Sequence, residues 1–459
     1  MIEAFTNQNY YEEKPADEKE SKELKYILNE NISKLTLKDI TDKESGYKNI
    51  VSASFNRASS LQNEDSLIFE IVIRKVNGKD QFYLKTGLFA GEIRIGKTII
   101  RITPAYGENV FFHMLCYVNN IFVSKNAGNS GVNKSNTTFP LFKYLFLLTL
   151  QKAAKLGFPK AYRQNKYYDV KVHGGIDLNE YIKKDNPFTG KLHSKKNERD
   201  YVQEIIDVIL YALNISKNEI QTLGFTHIGF LKSELKDYSS GKKPSYRTIE
   251  IAKHHSALNN PMYRDFKKVL DYAELVIKQN DISKASENNS KISGYLLDIS
   301  ALWEAYLAKV LRMHLPDWEV HTQEEILLYE DQFYSRPNYP DFVLIKNDEY
   351  VILDAKFKKM DFLQKDVDRS DLFQIHSYAG YYNLISNNKL KLCGLIYPLS
   401  ERMNEQTMYK YHSQHLYGVE ASNTAFIVDG IYLEEKADIK TFKKEERAFC
   451  NRLKSLLNK

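Results

Sequence analysis

Cysteine is scarce in this 459-residue sequence. Its three cysteines, Cys116, Cys393 and Cys450, are odd in number and far apart, which excludes a disulfide framework and a CxxC-type zinc site. Long apolar runs are missing too: no window approaches 18 uncharged apolar residues, so there is no candidate membrane-spanning helix. The opening MIEAFTNQNYYEEKPADEKESKE lacks the basic start and apolar stretch of a secretory signal. A soluble chain in a reducing cytoplasm is expected. Charge of one sign does not dominate, since 65 Lys and Arg against 59 Asp and Glu leave +6, which permits a nucleic-acid partner without requiring one. No internal repeat is present.

The length is enough for two or three domains. Residues 1–48 are polar and charged, with one short amphipathic stretch at Leu24, Ile27 and Leu28, and are expected to form a loosely ordered arm. From 49 to 123, SLIFEIVIRKV, QFYLKTGLFA, GEIRI and TIIRITP are short alternating segments separated by turn residues. They predict a small antiparallel sheet, followed by a helix at NVFFHMLCYVNNIF. The Ser/Asn/Gly-rich stretch 124–138 reads as a linker. Residues 139–279 are mostly helical: PLFKYLFLLTLQKAAKLGF, NERDYVQEIIDVILYALNI and MYRDFKKVLDYAELVIKQ carry helical periodicity, with a strand pair turning at Gly174-Gly175. After a polar spacer at 280–291, the last domain, 292–459, opens with GYLLDISALWEAYLAKVLRMHL as one long helix. It continues as strand PDFVLI, strand YVILDAKFK, helix DLFQIHSYAGYYNLI and strand KLCGLIYP, and closes on a basic amphipathic helix from Thr441. The fold class is therefore multidomain α+β, with a small β-rich N-terminal domain, a helical middle segment and a C-terminal α/β domain.

The chemistry concentrates in PDFVLIKNDEYVILDAKFK, residues 340–358. Asp341 opens one strand and Asp354 nearly closes the next, so a hairpin turning at Lys346 to Asp348 brings the two carboxylates together. Asp354 and Lys356, two apart on a strand, share a face. Two carboxylates can hold Mg²⁺, which polarises a phosphoryl oxygen and acidifies a water, while an adjacent lysine steers that water or neutralises developing charge. The Ala355 carbonyl is a further oxygen donor. A plain core role for Asp354 and Lys356 is disfavoured, because burying them in VILDAKF costs several kcal/mol without a compensating partner.

These residues resemble the PD-(D/E)xK nuclease superfamily, with Pro340-Asp341 and Asp354-Ala355-Lys356 as the two halves of its signature, 13 residues apart. The resemblance implies a restriction-endonuclease-like fold for the last domain. Gln374 and Tyr378, one helical turn apart, look like the helix motif of its RecB-like branch, where the glutamine sits beside the metal site. Glu304 in ALWEAYLAKVL stands where several of these nucleases place an extra metal-binding acid, although a solvated surface glutamate explains it equally well. His314 and His376 read as helix-surface residues. Lys358, Lys359 and Lys365 are candidate phosphate contacts, with a solvated charged face as the alternative.

GEIRIGKT, residues 91–98, matches the nucleotide-binding G-x-x-x-x-G-K-[ST] pattern letter for letter. A phosphate loop needs a helix beginning at its Lys-Thr. TIIRITP continues instead as a strand, so Gly96-Lys97 is expected to be a hairpin turn.

Farther afield, GEIRIGKTIIRITPAYGENVFFHMLCYV, FLLTLQKAAKLGFPKAYRQN, VHGGIDLNEYI, LLDISALWEAYLAKVL and DLFQIHSYAGYY are similar to McrC-type subunits and to the related component of LlaJI- and BsuMI-type restriction enzymes, from about residue 65 to 400. The resemblance implies a restriction endonuclease subunit that cuts DNA phosphodiesters with Mg²⁺, or Mn²⁺ in its place, and carries no organic cofactor. It also implies a hetero-oligomer with an McrB-like AAA+ GTPase that uses GTP, recognises DNA and translocates it, with the N-terminal region stimulating hydrolysis. The alternatives are a stand-alone RecB-like repair nuclease and a catalytically inactive assembly or regulatory subunit.

Overall fold

The computed structural model describes residues 1–8, 14–42, 50–53, 66–118, 141–185, 187–222, 226–285, 292–329, 336–358, 360, 367–387, 389–420, 422–434 and 437–458. The expected linker at 124–138 lies outside them. The chain divides into two compact units, Met1–Phe122 with Ser286–Lys459, and Val123–Ala285.

The described residues of the stretch expected as a loose arm are folded. Strand β1 (Ile2–Phe5) buries Ile2 and Ala4 on one face, and helix α1 (Glu18–Asn29) starts at a capping box between Asp17 and Glu20 and buries Leu24 and Ile27. Mean polarity misleads here, because so few apolar residues suffice when each lands on the buried face. Next come β2 (Lys34–Thr36), α2 (Leu37–Thr41), β3 (Ile50–Ala53), β4 (Leu67–Val76), β5 (Lys79–Thr86), β6 (Phe89–Ile95) and β7 (Thr98–Thr103). Strands β6 and β7 form an antiparallel hairpin in which Ile95 faces Thr98 and Gly96 takes φ +53°. The segment 91–98 is thus the end of one strand, a tight turn at Gly96-Lys97 and the start of the next, with no helix N-terminus behind it, and phosphate-loop geometry is absent from it. Helix α3 (Glu108–Val118) follows.

The second unit combines helices with a long ribbon. Helix α4 (Leu141–Ala153) leads into β8 (Lys160–Asp169), β9 (Gly175–Ile176), α5 (Leu178–Lys184), β10 (Leu192–Tyr201) and α6 (Gln203–Ile215). β8 and β10 pair antiparallel over ten residues each. The expected strand pair turning at Gly174-Gly175 does not form; Gly175 and Ile176 pair instead with Lys195 and Ser194. NERDY, expected to be helical, is the end of β10. Its charged residues alternate with the ribbon, and the apolar period that defines a helix starts only at Ile205. Helices α7 (Lys217–Thr222), α8 (Thr226–Lys236), α9 (Tyr246–Lys253) and α10 (Phe266–Ala285) complete the unit, and α10 takes in the first six residues of the expected spacer.

A second correction concerns the start of the last domain. Ile292–Asp298 is strand β11, and only Ile299–His314 is helix α11, capped by the Asp298 side chain. β11 lies antiparallel to β6 and parallel to β3, in a sheet ordered β1-β7-β6-β11-β3, so it completes the N-terminal sheet.

Thereafter come β12 (Glu319–Thr322), β13 (Ile326–Leu328), β14 (Arg336–Asn338), β15 (Phe342–Lys346), β16 (Glu349–Ala355), α12 (Arg369–Ile385), β17 (Leu390–Leu399), α13 (Glu405–Tyr411), β18 (His412–Ser413), β19 (Ala425–Tyr432) and α14 (Ile439–Leu457). The sheet order is β12-β15-β16-β17-β19-β18, with β16, β17 and β19 parallel. Val343, Ile352, Leu395 and Val428 pack with Ile375, Tyr378 and Ala379 of α12 on one face. Residues of the other parity, such as Asp429, face α14, whose Arg452 grips that carboxylate at 2.7 Å. The three cysteines are buried and form no disulfide among the described residues, and no described helix is long and apolar enough to cross a membrane.

Candidate active site

The β15–β16 hairpin sets the site. Asn347 and Asp348 both take positive φ, 49° and 62°, as a two-residue turn between right-twisted strands requires. The turn fixes a register in which Phe342 faces Leu353 and Val343 faces Ile352. One step further along that ladder, Asp341 stands across from Asp354. Val343 and Ile352 both lie under α12, so alternation sends Asp341, Asp354 and Lys356 to the same side.

The Ala355 N–H donates to Asp341 Oδ2 at 2.7 Å, which pins that carboxylate against the end of β16. Asp354 is 1% exposed. Its Oδ2 lies 2.6 Å from Lys356 Nζ but has no partner in hydrogen-bond alignment. Lys356 Nζ also donates to Gln374 Oε1 at 2.7 Å, and Gln374 Nε2 donates to the Tyr378 hydroxyl at 3.1 Å. Tyr378 in turn reaches the Tyr339 carbonyl at 3.4 Å. From α11, Glu304 accepts from Gln323 Nε2 at 2.9 Å, while the Gln323 N–H donates to the Asp341 carbonyl at 3.2 Å. Asp341, Asp354, Ala355, Lys356, Gln374, Tyr378 and, through Gln323, Glu304 are therefore brought into one cluster.

The electrostatics follow from that crowding. Burial first, then the charges of Asp354 and Glu304, hold the Asp341 carboxyl well above the ordinary range. Burial raises Asp354 as well, against the opposing pull of Lys356. Lys356 is held above the usual lysine range: burial alone would lower it, but Asp354 and Asp341 outweigh burial. The ammonium therefore stays charged among carboxylates that resist ionising together.

One participant was missed. Asp371, 5% exposed in the first turn of α12, lies 4.0 Å from Lys356, accepts from Lys358 at 2.9 Å and accepts from the Tyr397 hydroxyl at 3.1 Å. The signal was present: Asp371, Gln374 and Tyr378 fall at i, i+3 and i+7, on one helix face. Lys358 is engaged by Asp368 and Asp371. Lys359 and Lys365 lie outside the described residues. His376 packs at a tilt against Tyr417 and Phe426, and His314 is the last residue of α11, where burial lowers its pKa.

Among the described residues no three Asp, Glu, His or Cys side chains are grouped so as to hold a metal ion. Lys356 lies against Asp354 where a cation would balance the charge. The fit to a divalent ion rests on the donor set itself: a carboxylate pair, Asp341 and Asp354, whose joint ionisation is opposed, with the Lys356 ammonium 2.6 Å from Asp354.

Residues 84–398, well over half the chain, match the family model described as "McrBC 5-methylcytosine restriction system component". The chain belongs to that family. It is also similar to a chain of a refined half-complex from a tetradecameric assembly of Thermococcus gammatolerans McrB AAA+ hexamers with bound McrC. That match covers 98% of this chain and 99% of that one, with a TM-score of 0.54 and 16% identity. A chain of the cryo-EM structure of the Thermococcus gammatolerans McrBC complex matches over 68% of this chain and 88% of that one, with a TM-score of 0.38 and 15% identity. The first of these likenesses is one of fold. No curated protein matches.

Proposed function

We propose that the chain is the McrC-like nuclease subunit of an McrBC-type restriction system, hydrolysing DNA phosphodiesters at Asp341, Asp354 and Lys356. The observation that carries this reading is the hairpin register that sets Asp341 across from Asp354, with Lys356 on the same side. Membership of a restriction-system family supports the substrate class. The β-turn at Gly96-Lys97 supports a subunit without a nucleotide-driven motor at that motif. The assembly with McrB AAA+ hexamers named for the similar structure supports an McrB-like GTPase ring as the partner.

In the reaction a water oxygen bonds to phosphorus, one P–O bond of the backbone breaks, and the water's proton leaves through solvent while the departing oxygen is protonated. Mg²⁺ or Mn²⁺ would be held by Asp341 and Asp354, with Glu304 and the Ala355 carbonyl as further donors, and would supply Lewis-acid polarisation and a more acidic water. The Ala355 N–H fixes the Asp341 carboxylate in place. Lys356, kept charged by its acidic neighbours, orients the water and offsets charge building on phosphorus. Gln374 holds the lysine from the far side, and Tyr378 holds Gln374.

Plasmid cleavage in Mg²⁺ by wild type and Asp354→Ala, each alone and with an McrB-like ring plus GTP, tests the reading. Cutting by the wild-type complex alone is the expected result. Equal cutting by Asp354→Ala would overturn the site. Equal cutting by isolated wild type would favour a stand-alone repair nuclease with the same residues.

A further inference from the structure

Helix α14 turns both of its acids inward and all of its cations but Arg452 outward. Its two acids point inward: Glu446, 1% exposed, accepts from the Tyr306 hydroxyl at 2.8 Å and lies 3.0 Å from His113 Nε2, and Glu445 is paired with Arg402 at 2.9 Å. Phe442, Phe449, Cys450 and Leu453 fill the rest of the buried face. Lys440, Lys443, Lys444, Arg447 and Asn451 fall at i, i+3, i+4, i+7 and i+11, all exposed, and with Ala448 they line one shallow open groove. Lys443, Lys444 and Arg447 form no ion pair among the described residues. The stripe is therefore a field of four positive charges whose natural counter-charges have been turned into the core.

The helix is also held rigidly. Arg452 makes two hydrogen bonds to Asp429 and a third to the Gly430 carbonyl, anchoring α14 on β19. α14 begins just beyond the C-terminal end of β19, and β19 runs parallel to β17 and, through it, to β16. α14 lies on the face of the sheet opposite the one that carries Asp354, and its Arg452 meets Asp429 at the level of Ala355.

We infer that this outward stripe of α14 is a docking surface for the phosphate backbone of duplex DNA, separate from the hydrolytic residues. The inference rests on the reading of the chain as a DNA-cutting subunit. From Lys440 to Arg447 the four cations span about 10 Å at ~1.5 Å per residue, the axial length of roughly three base pairs at ~3.4 Å each. Four cations on a straight rod match successive phosphates of a stiff helix. No aromatic side chain lies on the stripe, which argues against a single strand, whose binding surfaces stack bases on aromatic rings.

The test is the affinity of the full chain for a short fluorescent duplex, followed by anisotropy in EDTA so that no cutting occurs, between about 50 and 200 mM salt. Wild type is compared with the combined Lys440→Gln, Lys443→Gln, Lys444→Gln, Arg447→Gln variant. A control carries Lys19, Lys22, Lys34 and Lys38 changed to Gln, with the same loss of charge. The expected result is at least roughly ten-fold weaker binding by the stripe variant and a salt slope shallower by about 3 to 4, with the control unchanged. All eight positions are exposed, and a thermal melt confirms folding. Wild-type affinity and slope in the stripe variant, equal losses in the control, tighter binding of single strand than of duplex, or no duplex binding by wild type would each overturn it. Because cleavage is not read, failure here leaves the Asp354→Ala result standing, and the reverse holds too.

Discussion

Lys356 donates a hydrogen bond to the side-chain oxygen of Gln374 at 2.7 Å, while its ammonium lies 2.6 Å from Asp354. The lysine is thus held between strand and helix, and the glutamine acts through it. Gln374→Ala removes one restraint without removing a charge, and the expected loss in kcat is roughly 10- to 100-fold with KM little changed. Tyr378→Phe, one bond further out, is expected to cost less than Gln374→Ala. Single-turnover cleavage rates would measure both; a Tyr378→Phe loss exceeding that of Gln374→Ala would break the proposed chain of support.

Asp371 joins the two lysines of the site, 4.0 Å from Lys356 and 2.9 Å from Lys358. Removing it leaves Lys358 to Asp368 and takes one acceptor from the buried Tyr397 hydroxyl. Asp371→Ala is expected to lower stability by about 3 kcal/mol, as for a buried pair that loses one partner, and Asp371→Asn by less, since an acceptor oxygen remains. Urea unfolding midpoints decide this. A neutral Asp371→Ala would mean that water replaces the carboxylate at no cost.

What was legible in the sequence follows from the physics of each segment. The β15–β16 hairpin was readable because alternation, a turn rich in Asn and Asp and two carboxylates at matching positions all point the same way. The hairpin at Gly96 was readable because β-branched residues follow it where a phosphate loop needs a helix. Ile292–Asp298 was not readable as a strand: GYLLDISALWEAYL is apolar nearly throughout, so periods of 2 and 3.6 fit equally well, and the partner strand β6 is two hundred residues away. Helix α1 was underweighted because its composition is polar, although its capping box is written in Asp17 and Glu20. Asp371 was overlooked as one acid among many; only the face it shares with Gln374 and Tyr378 sets it apart.

The seam between β6 and β11 leaves no room for a side chain. A Cβ on Gly91, whose φ is +151°, would lie 2.0 Å from the Tyr295 carbonyl oxygen, and one on Gly294 would lie 2.5 Å from that of Glu92. Gly91→Ala and Gly294→Ala are each expected to destabilise the first unit by about 1–3 kcal/mol through backbone displacement. Denaturant midpoints of the full chain would register this. Wild-type midpoints in both variants would mean that the strands are not in this register.

Asp341 gives a pH-dependent prediction with a definite sign. Burial and the charges of Asp354 and Glu304 raise its folded-state pKa above the ordinary carboxylate value, so the folded chain holds that proton more tightly than the unfolded chain does. Stability contributed by this group is complete below the ordinary value and is lost as pH rises through the raised one. At neutral pH this carboxyl therefore contributes less to stability than it does near pH 4. Asp341→Asn keeps an acceptor for the Ala355 N–H and abolishes the charge, so Tm at pH 7 should rise by about 2–4 °C, with the gain vanishing near pH 4. Cleavage should be lost in the same variant. On the proposed reading Mg²⁺ relieves the same repulsion, so it should raise the Tm of wild type more than that of Asp341→Asn. A lower Tm for Asp341→Asn at pH 7 would mean that the carboxylate is stabilised in its charged form, and the crowding of acids around it would not be the force that draws a cation in.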